Sequence, residues 1–363
     1  MEILSHIWQG LQAKLFPFLE EVLEPLTGKQ KELVAALELA RIEEFVHNAD
    51  CRCGRPSKDR RAIARAFIAK SVYNLSTTRQ LLDYLQATPN LRRICGWERV
   101  LDIPSESVFS RVFAFLAETG VPQRVHERMI ERHESNRLVG HISRDSTAIE
   151  AREKVKKRRL EKEVKVKRKR GRPKKGESVP AKEPGRLERQ RTMTIEEMLD
   201  DLPVACDYGT KRDTNGKRYT WKGYKLHVDW ADGGIPISCI LTSASLYDNQ
   251  AALPLGQLTS KRVTSLYDLM DAAYDCDIIK DHSRSLGHVP LIDNNPRRGK
   301  KVDMEPAAKV RYNERNTAER GFSRLKDDFG GRHIRVKGHT KILAHLMFGI
   351  VALCADQLLK LII

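Results

Sequence analysis

Two aspartates stand where predicted strands end, and carboxylates in that position can do chemistry together. Asp145 lies in RDST directly after a predicted strand at 138–143, and Asp271 opens DAAYD after a predicted strand near 263–270. Carboxylates just beyond strand C-termini gather at the edge of an α/β sheet where ligands bind. Each has a second interpretation, because either aspartate could simply cap the next element.

A charged helix predicted near 304–328 carries four functional side chains at helical spacing. They are Tyr312, Arg315, Glu319 and Lys326. At about 100° per residue they fall within a stripe about 60° wide and about 21 Å long. An Arg315–Glu319 pair on a solvated helix, contributing a few tenths of a kcal/mol, is the plainer interpretation, but it accounts for only two of the four.

Residues 1–135 have the apolar period of helices. The predicted helices of this region cover 29–46, 59–75, 76–87 and 105–119. We therefore expect an N-terminal all-α region, and a DNA-binding role is one of its interpretations.

Local signals sharpen the last two of these helices. Thr77 and Gln80 fit a capping box, Ser105 fits an N-cap, and Gly120 fits a helix stop. Short helices joined by a Pro-, Gly- and Trp-containing stretch are compatible with a helix-turn-helix variant. Under that interpretation the candidate DNA contacts are Ser107, Ser110 and Arg111. Solvated side chains on a plain helical bundle are at least as good an interpretation.

From residue 136 the pattern changes to strands and then to alternating strands and helices, which is typical of a mixed α/β domain. Residues 219–242 alternate apolar and polar side chains around a glycine turn and predict a hairpin. The later predicted elements are a helix from Asp248 with that residue as N-cap, a strand near 263–270, a helix near 274–285, a strand near 288–293, and helices near 304–328 and 338–361. Residues 150–206 interrupt this domain, which spans 136–363, as a basic insertion.

The positive charge of the chain is concentrated in that insertion. Of the formal charge of +17, the segment 152–175 carries +12, from 15 Lys/Arg against 3 Asp/Glu. A segment of that density attracts polyanions by counterion release, and nucleic acid is the commonest such partner. We favour nucleic acid over an anionic membrane, because the segment lacks the aromatic and leucine face of an interfacial helix.

The residues singled out above resemble the DDE transposases of bacterial insertion sequences. The pattern Tyr-x2-Arg-x3-Glu-x6-Lys is similar to the YREK signature of that family. The strand followed by Asp145 is similar to its first catalytic block, and LMDAAYD, with Asp271 three residues before a tyrosine, to its second. KGYKLH at 222–227 and LTSASLYDNQAALPL at 241–255 are similar to its intervening hairpin and helix. The resemblance covers about 136–350, without the insertion that many relatives carry between the second and third acids.

This resemblance implies an RNase H-like mixed sheet flanked by helices, an N-terminal all-α domain that binds DNA ends, and metal-dependent cleavage and strand transfer of DNA. It implies that Asp145, Asp271 and Glu319 are catalytic and hold Mg²⁺, for which Mn²⁺ can substitute. It also implies that the other three residues of the signature, Tyr312, Arg315 and Lys326, hold terminal phosphates. A member of this family is expected to act as a homodimer on two paired ends.

The insertion holds a second resemblance. The sequence 169–173, KRGRP, is similar to an AT-hook core, in which Arg170 and Arg172 would lie along a narrow A·T minor groove. A polybasic linker that binds phosphates without sequence preference is an equally good interpretation.

Other function classes find little support. Seven scattered cysteines do not form a disulfide framework, and the N-terminus has no secretory pattern, so we expect a cytoplasmic, nucleoid-associated bacterial protein. The longest apolar run, 346–355, is about half a membrane span, so no membrane partner is expected. A half zinc site at His47, Cys51 and Cys53 has no second pair, and a phosphate-binding P-loop is missing.

Two rivals to the transposase interpretation remain open at this stage. One is a metal-dependent nuclease of the same fold that lacks strand transfer. The other is a non-catalytic DNA-binding relic or regulator that keeps only the helical region and the basic segment.

Overall fold

The structure, a computed structural model, describes residues 2–23, 25–48, 58–155, 184–212, 216–296, 300 and 302–361. The helices before the first strand are α1 (Glu2–Gly10), α2 (Phe16–Val22), α3 (Gly28–Ala40), α4 (Arg60–Val72), α5 (Thr78–Ala87), α6 (Pro89–Cys95), α7 (Glu106–Glu118) and α8 (Val121–His133). The expectation of a helical N-terminal region is confirmed.

The caps of these helices follow the predicted chemistry with one difference. Thr77 and Gln80 form the predicted capping box at the start of α5, and Gly120 ends α7 in a left-handed conformation. Ser105 occupies the N-cap position of α7, but its hydroxyl bonds to the hydroxyl of Ser107 at 3.0 Å rather than to a backbone N–H. Ser105 is therefore the N-cap residue, as predicted, but its side chain makes no capping bond.

A six-stranded mixed sheet follows. Its strands are β1 (Leu138–Glu150), β2 (Asp207–Arg212), β3 (Arg218–Ala231), β4 (Pro236–Ser243), β5 (Thr264–Met270) and β6 (Val289–Ile292). The order is β2-β3-β1-β5-β6, and β4 pairs with the second half of β3. Strand β1 is antiparallel to β3 and parallel to β5, and β5 is parallel to β6. This mixed sheet with flanking helices is an RNase H-like arrangement.

Seven helices lie between and after these strands in the described sequence and complete the α/β domain. They are α9 (Arg186–Gln190), α10 (Ile195–Asp200), α11 (Ala252–Ser260), α12 (Asp277–Ser285), α13 (Pro306–Tyr312), α14 (Asn316–Asp327) and α15 (His339–Lys360). Helices α9 and α10 lie within the insertion predicted at 150–206. Met198 of α10 is buried against Leu253 and Met270, so this described part of the insertion packs on the domain.

Strand β1 is longer than predicted and changes the setting of Asp145. The strand continues past Ser143 to Glu150, because β3 pairs with it residue by residue from Ile142 to Glu150. Asp145 is therefore inside the strand opposite Val228, and the alternative that it caps the next element is wrong.

Two other local predictions need correction. The charged helix near 304–328 is two helices, α13 and α14, joined by a 3-10 turn at Asn313–Arg315. The helix from Asp248 begins as a 3-10 turn, and the side chain of Asp248 does not cap it but pairs with Lys225 at 2.9 Å.

Helix α15 forms the centre of the helical region. It packs against α3, α4, α7 and α8, and Phe348 lies 5.5 Å from Phe67 between ring centroids. Within the described residues it is the one helix long and apolar enough to cross a membrane, but 78% of its most apolar window is buried inside the protein. Helix α15 is thus a buried packing element of the described helical region.

Candidate active site

Asp145 and Asp271 meet on neighbouring parallel strands. In the register of β1 and β5, Arg144 pairs with Met270, so the next residue on each chain is one of the two aspartates. Asp271 leaves the strand end, and its Oδ1 accepts a bond of 2.9 Å from the N–H of Ala273. It therefore also performs the capping role that was its second interpretation. The two carboxylates, one within β1 and one just after the end of β5, form the floor of the site, and together with Glu319 they are called the strand-edge cluster here.

Glu319 reaches this floor through an arginine. The Arg315 guanidinium donates from Nη1 to Oδ2 of Asp145 at 3.3 Å and from Nη2 to Oε1 of Glu319 at 3.0 Å. The Glu319 side chain is 61% exposed, whereas that of Asp145 is 21% exposed. The third acid thus faces the same edge, separated from Asp145 by one guanidinium.

The electrostatics at Asp145 are those of a crowded carboxylate. Burial raises the pKa of Asp145 to about 6, although the N–H of Ser146 donates to its Oδ1 at 2.7 Å. The negative charge of Asp271 raises it further, and Arg315 opposes that effect. Burial likewise raises the pKa of Asp271 above its ordinary value. Carboxylates that are costly to ionise without a partner are the chemistry of a cation site.

Of the remaining residues of the helical stripe, Lys326 also contacts β1, and Tyr312 is buried. Lys326 Nζ donates to Thr147 Oγ1 at 2.6 Å, and Thr147 lies two residues after Asp145 on the same face of the strand. Tyr312 is buried, with the Lys309 ammonium 5.0 Å from its ring centroid, and burial raises the pKa of its hydroxyl. Arg315 and Lys326 therefore both contact β1, although a 3-10 turn separates Tyr312 from the start of α14.

Packing behind the stripe fixes the distance of α14 from the sheet. Gly321 of α14 lies against Trp230 of β3, and a Cβ at position 321 would come within 2.6 Å of that ring. Phe322 meets the same indole edge-on at 5.4 Å between centroids. Only glycine allows the helix this close approach, and the approach brings Arg315 and Lys326 to β1.

A buried ion pair holds the strands beneath the two aspartates. Arg144 is 2% exposed and donates from Nε and Nη2 to the two carboxylate oxygens of Asp229 at 2.8 and 2.7 Å. The Thr259 hydroxyl donates to the same carboxylate at 2.7 Å. This bidentate contact fixes β1 against β3 and α11 next to Asp145.

The sequence analysis missed a fourth acid at this edge. Burial would raise the pKa of Asp248, but His227 and Lys225 outweigh it, so the pKa lies below its ordinary value. Its charge raises the pKa values of both Asp145 and Asp271. The block LTSASLYDNQ, which contains Asp248, was the available signal, but it was interpreted only as a helix start.

The other candidate DNA contacts lie elsewhere. Ser107 and Arg111 are exposed on α7 in the helical region and take no part in the strand-edge cluster. Arg170 and Arg172, with the AT-hook-like sequence, lie outside the described residues. Asp268, an acid near Asp271 that lacks the family spacing, is 1% exposed and lies 3.3 Å from Nδ1 of His288 inside the domain.

Comparison with known families agrees with this geometry. Residues 145–355 match the family described as Transposase DDE domain, and this range begins at Asp145 and contains Asp271 and Glu319. The chain belongs to the DDE transposases. Residues 21–114 of the transposase also match the family described as Transposase domain (DUF772). No curated protein and no solved structure matches it.

Membership in this family implies dependence of the transposase on a divalent metal and DNA as its substrate. The donor set at the strand edge fits a hard cation, since Asp145 and Asp271 offer carboxylate oxygens that repel one another. Within the part of the chain that the structure describes, no three potential ligands are gathered closely enough to hold an ion. The Arg315 guanidinium lies between Asp145 and Glu319 and pairs with both.

Proposed function

We propose that this transposase binds the ends of its own insertion sequence, cleaves the phosphodiester at those ends and joins the freed ends to target DNA, with Mg²⁺ or Mn²⁺. Asp145, Asp271 and Glu319 are the proposed ligands. The observation that carries the proposal is the register of β1 and β5, which sets the first two acids side by side with Glu319 one guanidinium away.

The basic side chains of the site supply the contacts that DNA needs. Arg315 contacts Asp145 and Glu319, and Lys326 contacts Thr147, two residues after Asp145. A guanidinium can hold two phosphate oxygens in bidentate fashion. The Tyr312 hydroxyl, with its raised pKa, stays protonated and can donate to a phosphate. These three residues orient the terminal phosphate, and the bound divalent ion supplies neutralisation of the charge that develops on the phosphate and the leaving oxygen.

The proposed reaction needs no covalent protein intermediate. A water molecule attacks the phosphate at the end of the element, so that the P–O3′ bond breaks and leaves a 5′-phosphate and a free 3′-hydroxyl. That hydroxyl then attacks a phosphate of the target, forms a new phosphodiester and displaces the 3′ oxygen of the target strand. Proximity accounts for much of the rate, because Arg315 and Lys326 hold the donor phosphate over β1 while the second DNA is bound.

The deciding experiment is cleavage of the DNA that natively flanks this gene, with Mg²⁺ or Mn²⁺, by the wild type and by Glu319→Gln. We expect cuts at the element boundary that fall by more than roughly a hundredfold in the variant, since a ligand should matter more than the outer residues that support it. Glu314→Gln, which removes an exposed carboxylate from the adjoining 3-10 turn, is the matched control and should retain cleavage.

The rival functions give different results in the same assay. Scattered nicking that Glu319→Gln abolishes would indicate a metal-dependent nuclease, and binding without cleavage would indicate a relic or regulator.

We also propose that residues 1–135 contain the end-binding surface and that two copies assemble on paired ends. Sizing the protein with and without end DNA checks this, and a complex that stays monomeric on two ends contradicts it.

A further inference from the structure

A groove of about 690 Å³ lies between the helical region and the segment that joins α14 to α15. One wall comes from the end of α4, the start of α5 and one face of α7, and includes Ser76, Thr77 and Ser110. The other wall is the segment 333–341 together with Arg152, two residues beyond β1. None of these residues belongs to the strand-edge cluster.

The groove is strongly positive and its charges are not neutralised from within the protein. The cations that line it are Lys70, Arg152, Arg335, Lys337 and Lys341, against a single acid, Glu106. Glu106 pairs with Arg79 at 3.5 Å, outside this set. The side chains of these five cations form no ion pair or hydrogen bond with any residue that the structure describes. A surface that gathers unpaired cations in this way fits a polyanion.

Lys70 is the unusual member of this set. Its residue is only 8% exposed, and burial lowers the pKa of its ammonium to about 8. A buried, unpaired ammonium is costly in a folded protein unless a ligand supplies the counter-charge. Next to it, the N–H groups of Thr78 and Arg79 open the ten-residue helix α5 with no acceptor among the described residues, and such a helix start favours an anion.

Both walls are attached to the elements that carry the acids. Asn74 Nδ2, on the α4 side, donates to the carbonyl oxygen of Asp327 at 2.6 Å, one residue after Lys326. The N–H of Gly338, on the other side, donates to Oε2 of Glu153 at 3.1 Å, three residues beyond β1. A ligand in the groove is therefore held in a fixed relation to β1 and α14.

We propose that this groove binds the sugar-phosphate backbone of duplex DNA, with one phosphate against Lys70 and the start of α5 and its neighbours against Arg335, Lys337 and Lys341. The proposal rests on the proposed function, since it assigns where that transposase holds the duplex leading to its acids. It places a phosphate-positioning surface between the end-binding region and the site of cleavage.

The test is the salt dependence of binding of a fluorescent duplex of about 30 base pairs from the native flanking DNA, measured by anisotropy with the full-length chain. We expect Lys337→Gln/Lys341→Gln to weaken binding roughly tenfold at 0.15 M salt and to lower the log–log salt slope by about 2, because each lost phosphate contact removes about 0.9. Lys70→Met should lower the slope by about 1. The matched control, Lys14→Gln/Lys261→Gln, removes two exposed charges outside the groove.

The outcomes separate this proposal from the function on which it rests. If the wild type binds DNA and cuts at the boundary, and the Lys337/Lys341 variant keeps the same affinity and salt slope, the proposal that the groove binds DNA is overturned. The proposed transposase function is not affected by that result. An equal loss in the Lys14/Lys261 control would also overturn the groove proposal, since general charge would then explain binding. If Lys70→Met fails to fold, the surface double variant alone decides. Absence of binding and cleavage in the wild type would contradict the proposed function itself.

Discussion

Arg315 is the residue that links two of the three acids of the site. Its guanidinium is 18% exposed and serves two carboxylates, one on β1 and one on α14. It thereby supplies the positive charge that Asp145 needs and holds Glu319 at the same edge. The same guanidinium has further N–H groups for a phosphate, so it can support both the acids and the DNA.

At Asp145 the structure gives a prediction about stability. Because burial raises the pKa of this carboxyl to about 6, its ionisation at pH 7 disfavours the folded state. Asp145→Asn should therefore raise the free energy of unfolding of the protein in EDTA by about 3 kcal/mol, which is what a rise in pKa from 3.8 to about 6 corresponds to. Urea unfolding checks this value.

The same variant should lose its response to a divalent cation. Mg²⁺ that binds only the folded protein raises the melting temperature of the wild type, and removal of a ligand oxygen removes that increase. Asp83→Asn, an exposed change on α5, should keep the wild-type response. A less stable Asp145→Asn protein with an unaltered Mg²⁺ response would contradict the role of Asp145.

At the scale of elements, the position of α14 over β1 and β3 decides whether the stripe reaches the strand. Gly321 packs directly against the indole of Trp230. A methyl group at position 321 would therefore require Trp230 or the helix to move. Trp230 is fully buried and has little room.

Gly321→Ala should accordingly displace α14, with a moderate loss of stability and a large loss of cleavage rate. We expect about 1–3 kcal/mol of destabilisation, the usual cost of an added group in a packed core, and roughly a hundredfold loss of cleavage from misplacement of Glu319. Ser323→Ala, on the exposed side of the same helix, is the control. Wild-type cleavage by a protein with Ala at 321 would contradict this account.

How much of the site the sequence predicts depends on the element. The hairpin and the strand before Asp271 follow from period-two alternation and are confirmed at β3, β4 and β5. The length of β1 did not follow, because residues 144–150 are mostly polar or small and become a strand only by pairing with β3. Tertiary pairing overrides local preference there.

The helical stripe also shows which features of the site the sequence predicts and which it does not. The spacing predicted one stripe of side chains, and two of its members, Arg315 and Lys326, contact β1. The 3-10 turn between Tyr312 and Arg315 was not predictable from an ideal period, and the burial of Tyr312 depends on packing that only the folded chain reveals. The role of these residues in catalysis stays a prediction.

At the scale of the whole molecule, helix α15 bears on the predicted domain boundary at residue 135. This helix lies more than 200 residues from α8 in the sequence, yet packs against four helices of the N-terminal region. The division into a domain of residues 1–135 and one of 136–363 stays a prediction about function.

Truncation tests that division. A fragment of residues 1–135 lacks α15 and should leave Phe67 and Phe113, which both lie within 6.3 Å of Phe348 between ring centroids, without their partner. We expect weak, non-cooperative helical structure by circular dichroism, and recovery when residues 338–361 are fused through a flexible linker. Cooperative melting of the fragment alone would show that the helical region folds independently.

A buried histidine between the two regions gives the pH prediction. Nε2 of His126 on α8 donates to the carbonyl oxygen of Pro236 on β4 at 2.7 Å, and burial lowers its pKa to about 3. The unfolded chain takes up this proton below about pH 6.5 and the folded protein does not, so stability falls as the pH falls from 6.5 towards 3.

His126→Gln should remove this part of the pH dependence. Between pH 7.5 and 5, we expect the free energy of unfolding of the wild type to fall by about 2 kcal/mol more than that of the variant, as measured by urea titration. His6→Gln, which changes an exposed histidine on the N-terminal helix α1, is the control. Parallel curves for wild type and His126→Gln would contradict the buried neutral imidazole.

The place of α15 in the core has a consequence for synthesis on the ribosome. Helices α3 to α8 emerge first, but the helix that covers their apolar faces follows about 200 residues later, which takes about 10 to 40 seconds of translation. During that interval the nascent helical region exposes the surface on which Phe348 will pack. Chaperones that hold apolar segments have their opportunity then, and a message broken before α15 yields a chain open to proteolysis.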